Sequence, residues 1–213
     1  MDGEEVMASR NHTLDDKITA AAYSEFLEKG YQNASLRKIA AKAGTTVGAI
    51  QIRYQTKDDL FCSLLKPFLA EIEKTFQVTR VEYWQYPAQE QLAYLEKSME
   101  MESAAILNLI FDHYTDAILL LCRSGGSSLD GCFDQIVERK VLESEAFFQE
   151  AGPSFLDQNL LRLLIASQFH SYYQIVKEGY DRDVAKTYMA TLMRYHLGGW
   201  ATLLNGIQKG ERQ

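Results

Sequence analysis

The sequence lacks most of what an enzyme, a secreted protein or a membrane protein requires. Its three cysteines, Cys62, Cys122 and Cys132, form no CxxC or CxxH spacing, and an odd count argues against a disulfide framework. Cys122 and Cys132 bracket a Gly-rich loop as a redox pair would, but a buried free thiol is the commoner state of such residues. Residues 1–8, MDGEEVMA, carry neither a basic n-region nor an apolar h-region, so no secretory signal is read there. The longest apolar runs, such as Ala117 to Cys122, fall far short of the roughly 18 residues of a membrane span. A soluble, cytoplasmic chain with no membrane partner is the expectation.

Catalytic signatures are missing too. His113 lies between Asp112 and Asp116, but no HExxH motif is present and no second His follows at i+4, so no metal site is expected. His170 and His196 sit in apolar helical patterns and read as core histidines, and His12 falls in the N-terminal tail. The glycines of SGGSSLDG, Ser124 to Gly131, are followed by no GKS or GKT and preceded by no strand, which excludes a phosphate cradle and leaves a plain loop. Glu143, Glu145 and Glu150 lie on a solvated helix face and give no glycosidase-like acid and base pair. No catalytic residue and no cofactor is expected. No β-rich stretch or internal repeat occurs either, and the fold is read as all-α.

The charge, −7 overall, is unevenly distributed. Residues 9–60 hold eight Lys/Arg against six Asp/Glu, a balance of +2, so the remainder carries −9. Such asymmetry sets an acidic portion apart from one able to approach phosphates.

What is present is concentrated in residues 35–60, SLRKIAAKAGTTVGAIQIRYQTKDDL. Leu36, Ile39, Ala40 and Ala43 fall at i, i+3, i+4 and i+7, one apolar helical stripe, with Ser35 placed to cap its start and Gly44 to stop it. Thr45 and Thr46 supply N-cap oxygens for a second short helix whose inward positions are Val47, Ile50 and Tyr54 and whose other face carries Thr46, Gln51 and Arg53. Thr56 with Asp59 three residues on reads as a capping box opening a third helix. Two helices joined by a short turn containing Gly form a helix-turn-helix, a motif whose second helix lies in the DNA major groove. A first helix, from Thr13 to Lys29 with Ile18, Ala21, Ala22 and Phe26 inward and Gly30 at its exit, buttresses the pair.

From Lys17 to about Phe68 the sequence resembles, without a gap, the N-terminal domain of the tetracycline-repressor (TetR/AcrR) family. The resemblance rests on Ala21, Ala22 and Phe26, Gly30-Tyr31, Ser35-Leu36-Arg37, Ile39-Ala40, Ala43-Gly44, Gly48-Ala49-Ile50 and Lys57-x-x-Leu60. It departs at Gln51, where the family usually has Tyr, at Ala34, often Thr, and at Tyr54, usually Phe. The resemblance implies a three-helix DNA-binding domain over residues 12–72, after a disordered tail at 1–11, and a larger helical ligand-binding and dimerisation domain over 73–213. It also implies double-stranded operator DNA as partner, contacted through Ser35, Arg37, Lys38, Thr45, Thr46, Gly48, Ala49, Gln51, Arg53 and Lys57. Of these, Ser35, Arg37 and Lys57 are expected at phosphates, and Gln51, with Thr46 and Arg53 beside it, at base edges. The competing reading is a helical small-molecule-binding protein or enzyme whose helix-turn-helix serves a contact other than DNA.

Beyond Lys57 the pattern predicts a long helix to about Phe76, kinked or broken at Pro67, then a connector over 77–88. Further helices are expected over about 89–102, 104–123, 132–150, 154–178 and 181–204, the last two separated by Gly179. This part concentrates aromatic and amphipathic residues beyond what a Leu/Ile core needs. Trp84, Tyr86, Tyr94, Asp112, His113, Tyr114, Phe133, Phe148, Phe169, His170 and Tyr173 are therefore the candidate lining of a pocket for an unidentified small-molecule effector. The helix over 154–178 is apolar nearly all round and needs a second partner. With the family's two-fold pairing of the last two helices, this makes Leu160, Leu164, Tyr188, Leu192, Tyr195 and Gly199 the candidate homodimer interface.

Overall fold

The computed structural model describes the backbone of residues 3–84, 88–151 and 157–205 and the side chains of residues 13–78, 97–145 and 157–203. Among the described residues the chain is helical and contains no strand. The helices are α1 (Gly3–Asn33), α2 (Leu36–Lys42), α3 (Val47–Gln51), α4 (Lys57–Trp84), α5 (Ala88–Asp112), α6 (Tyr114–Cys122), α7 (Cys132–Ala151), α8 (Gln158–Glu178) and α9 (Arg182–Asn205). No single one of them is long and apolar enough to cross a membrane.

Two compact units divide the chain: Met1–Leu69 with Thr115–Gly131, and Ala70–Tyr114 with Cys132–Gln213. In the first, Ile18, Ala22 and Phe26 of α1, Ile39 and Ala40 of α2, Ile50 of α3 and Leu60, Phe61 and Leu65 of α4 are buried together. Their helical spacing made this core readable in advance. The Phe26 and Phe61 rings meet edge to face at 4.9 Å, and Tyr31 joins Phe61 at 5.2 Å, arrangements that suit the aromatic quadrupole. In the second unit, α7 packs on α8, α5 on α9 and α7, and α8 on α9. Its interior is filled by Ile106, Leu107, Val141, Leu161, Phe169, Val176, Met189 and Trp200, among others.

Several boundaries differ from expectation. α1 extends back to Gly3, into the stretch read as a tail, and Gly30 interrupts its end with φ 71. α4 runs unbroken through Pro67, whose ring lies on the exposed side where the missing N–H is tolerated, and on through most of the expected connector to Trp84. Residues 77–84 hold no Gly or Pro to stop a helix once started; residues 85–87 lie outside the described set. The break expected near residue 103 falls instead at His113, because Ser103 is buried inside α5. The second-domain boundary is also crossed twice, since residues 115–131 return to the first unit.

Phe61→Ala removes the ring on which Phe26 and Tyr31 close. It should destabilise the first unit by about 3–5 kcal/mol, read as a lower urea midpoint at an unchanged slope.

Candidate nucleic-acid interface

Local turn chemistry builds the helix-turn-helix. α2 ends in a complete Schellman motif: the Gly44 N–H donates to the Ala41 carbonyl at 3.2 Å and the Thr45 N–H to the Ala40 carbonyl at 2.9 Å. Gly44 takes φ 65, a conformation L side chains rarely adopt, so the turn requires glycine. Thr46 then caps α3, its Oγ1 accepting from the Ala49 N–H at 3.2 Å. The capping box before α4 is reciprocal. The Thr56 N–H donates to Asp59 Oδ2 at 2.9 Å and the Asp59 N–H to Thr56 Oγ1 at 3.0 Å. Ser35 does occupy the N-cap position of α2, but its hydroxyl makes no cap hydrogen bond.

The cations of this unit divide into two groups. Lys57 turns inward: its Nζ donates to the carbonyls of Tyr31, Ala34 and Gln32 at 2.7, 3.2 and 3.3 Å and lies 4.4 Å from the Tyr31 ring centroid. An ammonium has three donors, and these are all engaged. Arg53 is drawn back as well, its Nε on Asp15 of α1 and its Nη1 donating to the Ala49 carbonyl at 3.1 Å. Lys42 pairs with buried Glu25 at 3.0 Å and binds Ser24 Oγ at 3.2 Å, tying α2 to α1. Arg37 and Lys38, by contrast, are exposed, and among the described residues no hydrogen bond or ion pair holds them. Gln51 is exposed at the end of α3, Thr46 and Gly48 are exposed near its start, and Thr45 and Ala49 are half-buried.

The segment 115–131 is seated against the same helices. The Tyr31 N–H donates to the Arg123 carbonyl at 2.8 Å, the Ser128 N–H to Asp58 Oδ1 at 3.0 Å, and the Tyr23 hydroxyl to Asp116 Oδ1 at 2.7 Å. Burial, then the bond to Asp116, pushes the Tyr23 phenol well above its usual range, so it stays protonated as that donor.

Residues 18–64 match the family model of bacterial regulatory proteins, tetR family. This is a TetR-family DNA-binding domain. The whole chain shares its fold with solved regulators at low identity. A TetR-like transcriptional regulator from Rhodococcus sp. RHA1 is 17% identical over 87% of this chain and 96% of that one, with a TM-score of 0.58. NalD of Pseudomonas aeruginosa, the secondary repressor of the MexAB-OprM multidrug efflux pump, gives 19%, 88%, 96% and 0.52. FadR of Bacillus subtilis, solved with stearoyl-CoA, gives 21%, 83%, 96% and 0.50. No curated protein matches the chain. The TetR-type head makes the chain a DNA-binding transcriptional regulator.

In the second unit the proposed pocket residues have different surroundings. Asp112 accepts from Arg182 at 2.8 Å on the surface, where Arg182 also binds Asn108 and lies over the Phe111 ring. Tyr114 stacks on Phe111 and donates to the Val176 carbonyl at 3.4 Å. His170 is exposed, paired with Gln174 at 2.9 Å, so the reading of it as a core histidine is corrected: it lies on the solvent side of α8. His113 is half-buried. Phe169 is buried, and Phe133 and Tyr173 are half-buried neighbours at 6.2 Å. Trp84, Tyr86, Tyr94 and Phe148 fall outside the described side chains.

Interior polar residues that the sequence reading passed over are Ser103, Gln168 and Tyr172. Burial pushes the Tyr172 phenol far above its usual range, while its hydroxyl bonds Ser103. Each occupies an apolar position of a helical stripe, and a polar residue there was the signal. Among the described residues no group of three or more His, Cys, Asp or Glu is arranged to hold a metal ion, and the three cysteines are free thiols.

Of the dimer candidates, Leu160, Leu164 and Leu192 are half-buried, and Tyr188, Tyr195 and Gly199 are exposed. Leu163, an apolar residue of the same helix that the dimer candidates left out, is 68% exposed beside Leu160 and Leu164.

Lys57→Ala removes a charged cap on three carbonyls. The head should lose about 1–3 kcal/mol in a thermal or urea melt, whereas Lys57→Arg should recover little of it, because a planar fork does not fit three converging carbonyls.

Proposed function

We propose that the chain is a homodimeric, cytoplasmic, one-component repressor that leaves a near-palindromic operator when a small molecule binds its second unit. The observation that carries this reading is the exposed surface of the head: Gln51 is exposed on the recognition helix, and Arg37 and Lys38 are exposed and unengaged on α2. Phosphate contacts position such a head and base contacts specify its site. Arg37 and Lys38 take the first task. Gln51 takes the second, its amide pairing bidentately with adenine N6 and N7. Lys57, spent on backbone carbonyls, shapes the head from within.

The direct test is a gel shift with the DNA immediately upstream of the protein's own coding region. With about eight phosphates neutralised per dimer, log K should fall against log salt with a slope of roughly −7. Arg37→Ala and Lys38→Ala should each make that slope shallower by about two per dimer, and Lys57→Ala should leave it unchanged. Gln51→Ala should cost about 1–3 kcal/mol at one base pair per half-site and little elsewhere. A uniform loss over all sequences would place Gln51 on the backbone.

The dimer face runs along α8 and α9, where Leu160, Leu163 and Leu164 form one apolar cluster and Tyr188, Leu192, Tyr195 and Gly199 recur at i, i+4, i+7 and i+11. Tyr195 is 75% exposed, and a Cβ built at Gly198 or Gly199 meets nothing within 4 Å, which leaves room for a second backbone. Leu163→Glu with Tyr195→Glu should give a monomer in sedimentation and weaken operator binding; a dimer that persists would move the interface elsewhere.

The effector is read as an apolar or amphipathic small molecule oriented by interior polar groups of the second unit, with Ser103, Gln168 and Tyr172 added to His113. Release needs about 5 kcal/mol of differential affinity between the two arrangements. α4 and the segment 115–131 are the carriers, since α4 continues from the head into the second unit and the segment is joined in sequence to the second unit at both its ends. Stearoyl-CoA, with which FadR of Bacillus subtilis was solved, is the first compound to test. A ligand that raises the melting temperature yet leaves operator affinity untouched contradicts the mechanism.

A further inference from the structure

Ile52 follows directly on α3 with φ −64 and ψ −30, extending the turn of the recognition helix by one residue. It is 85% exposed. Among the described residues, every other large exposed hydrophobic side chain, from Val78 to Tyr195, belongs to the second unit. Two residues from each of the inward positions Ile50 and Tyr54, Ile52 falls on the opposite face of the helical turn, and the structure places it outward.

The surroundings of Ile52 indicate what it meets. Its neighbour Gln51 is exposed on the same end of the helix, while the next residue, Arg53, is held back by Asp15 and by the Ala49 carbonyl. The tip of the recognition helix is therefore neutral. A cation there would favour the O6 and N7 acceptors of guanine; an amide beside an isobutyl-sized apolar group fits adenine and the 5-methyl of thymine. In the major groove only thymine presents a methyl group, and an apolar side chain is the partner that gains from covering it.

Resting on the DNA-binding reading above, we infer that Ile52 is a specificity-determining residue that covers a thymine 5-methyl group in each half-site, next to the base pair taken by Gln51. The chain thereby reads A·T pairs at that position through one hydrogen-bonding and one apolar contact. The apolar contact discriminates thymine from uracil, which hydrogen bonding cannot do.

The test uses the full chain. Bound duplexes are selected from a random pool, and each thymine of the selected half-site is then replaced in turn by deoxyuridine, which removes only the methyl. Wild type should lose about fourfold in affinity per half-site at one thymine, the loss corresponding to one buried methyl-sized group, and little at the others. Ile52→Ala, at a side chain 85% exposed and so melting with wild type, should bind thymine and deoxyuridine equally at that position. Ile52→Val should keep a reduced discrimination. Selection of a sequence followed by indifference of wild type to every deoxyuridine overturns the inference while leaving DNA binding intact, as does an unchanged deoxyuridine penalty in Ile52→Ala. Failure to enrich any duplex overturns the DNA-binding reading itself, and this inference with it.

Discussion

A single ammonium group ties the start of α4 to the end of α1, the joint on which the head is built. Lys57, the first residue of α4, binds the Tyr31 and Gln32 carbonyls of α1 and the Ala34 carbonyl just after it, and covers the Tyr31 ring. The Tyr31 carbonyl also accepts from the Ala34 N–H at 3.2 Å, so the ammonium adds to the turn's own backbone bonding. Each buried or half-buried carbonyl of a chain reversal must find a partner, and here one flexible point charge serves all three. The aromatic cluster of Phe26, Tyr31 and Phe61 lies directly behind this bend, so polar and apolar contacts fix the same angle between α1 and α4.

Tyr31 is also where residues 115–131 attach. Its amide donates to the Arg123 carbonyl, and Asp58, one residue beyond Lys57, accepts from the Ser128 amide. The Asp58 carboxyl is held below its ordinary range although partial desolvation acts in the opposite sense, because Ser128 and Tyr31 both bond its charged form. Backbone bonds of this kind do not depend on side-chain identity at Arg123 or Ser128. They bind the segment as a piece of the head, although about fifty residues separate it from α4's first half in sequence.

How much of this the sequence revealed follows the reach of each interaction. The Gly44 turn, the Thr46 cap, the Thr56 and Asp59 box and the Gly179 stop are completed within a few residues, so residue types at fixed offsets announce them. The roles of Lys57 and Arg53 were not legible, because Tyr31 lies 26 residues from Lys57 and Asp15 lies 38 from Arg53. An unpaired cation and a buried cap look alike in a string of letters. The same limit hid the place of His170, whose helix is apolar on the faces that His170 does not share. In the second unit α7, α8 and α9 were legible to within a few residues, whereas the end of α4 and the break between α5 and α6 were not. The use of each aromatic was not, since Tyr114 spends its hydroxyl on the end of α8 and Asp112 on Arg182.

The central claim is that two such heads, carried by one dimer, read the two halves of one operator. Hydroxyl-radical footprinting of the upstream DNA with the full chain tests it most directly. The account predicts two symmetric protected patches, their centres about one helical turn or somewhat more apart, lying over the arms of a near-palindrome. Protection of a single patch, or none at protein concentrations where the chain is folded, would contradict it.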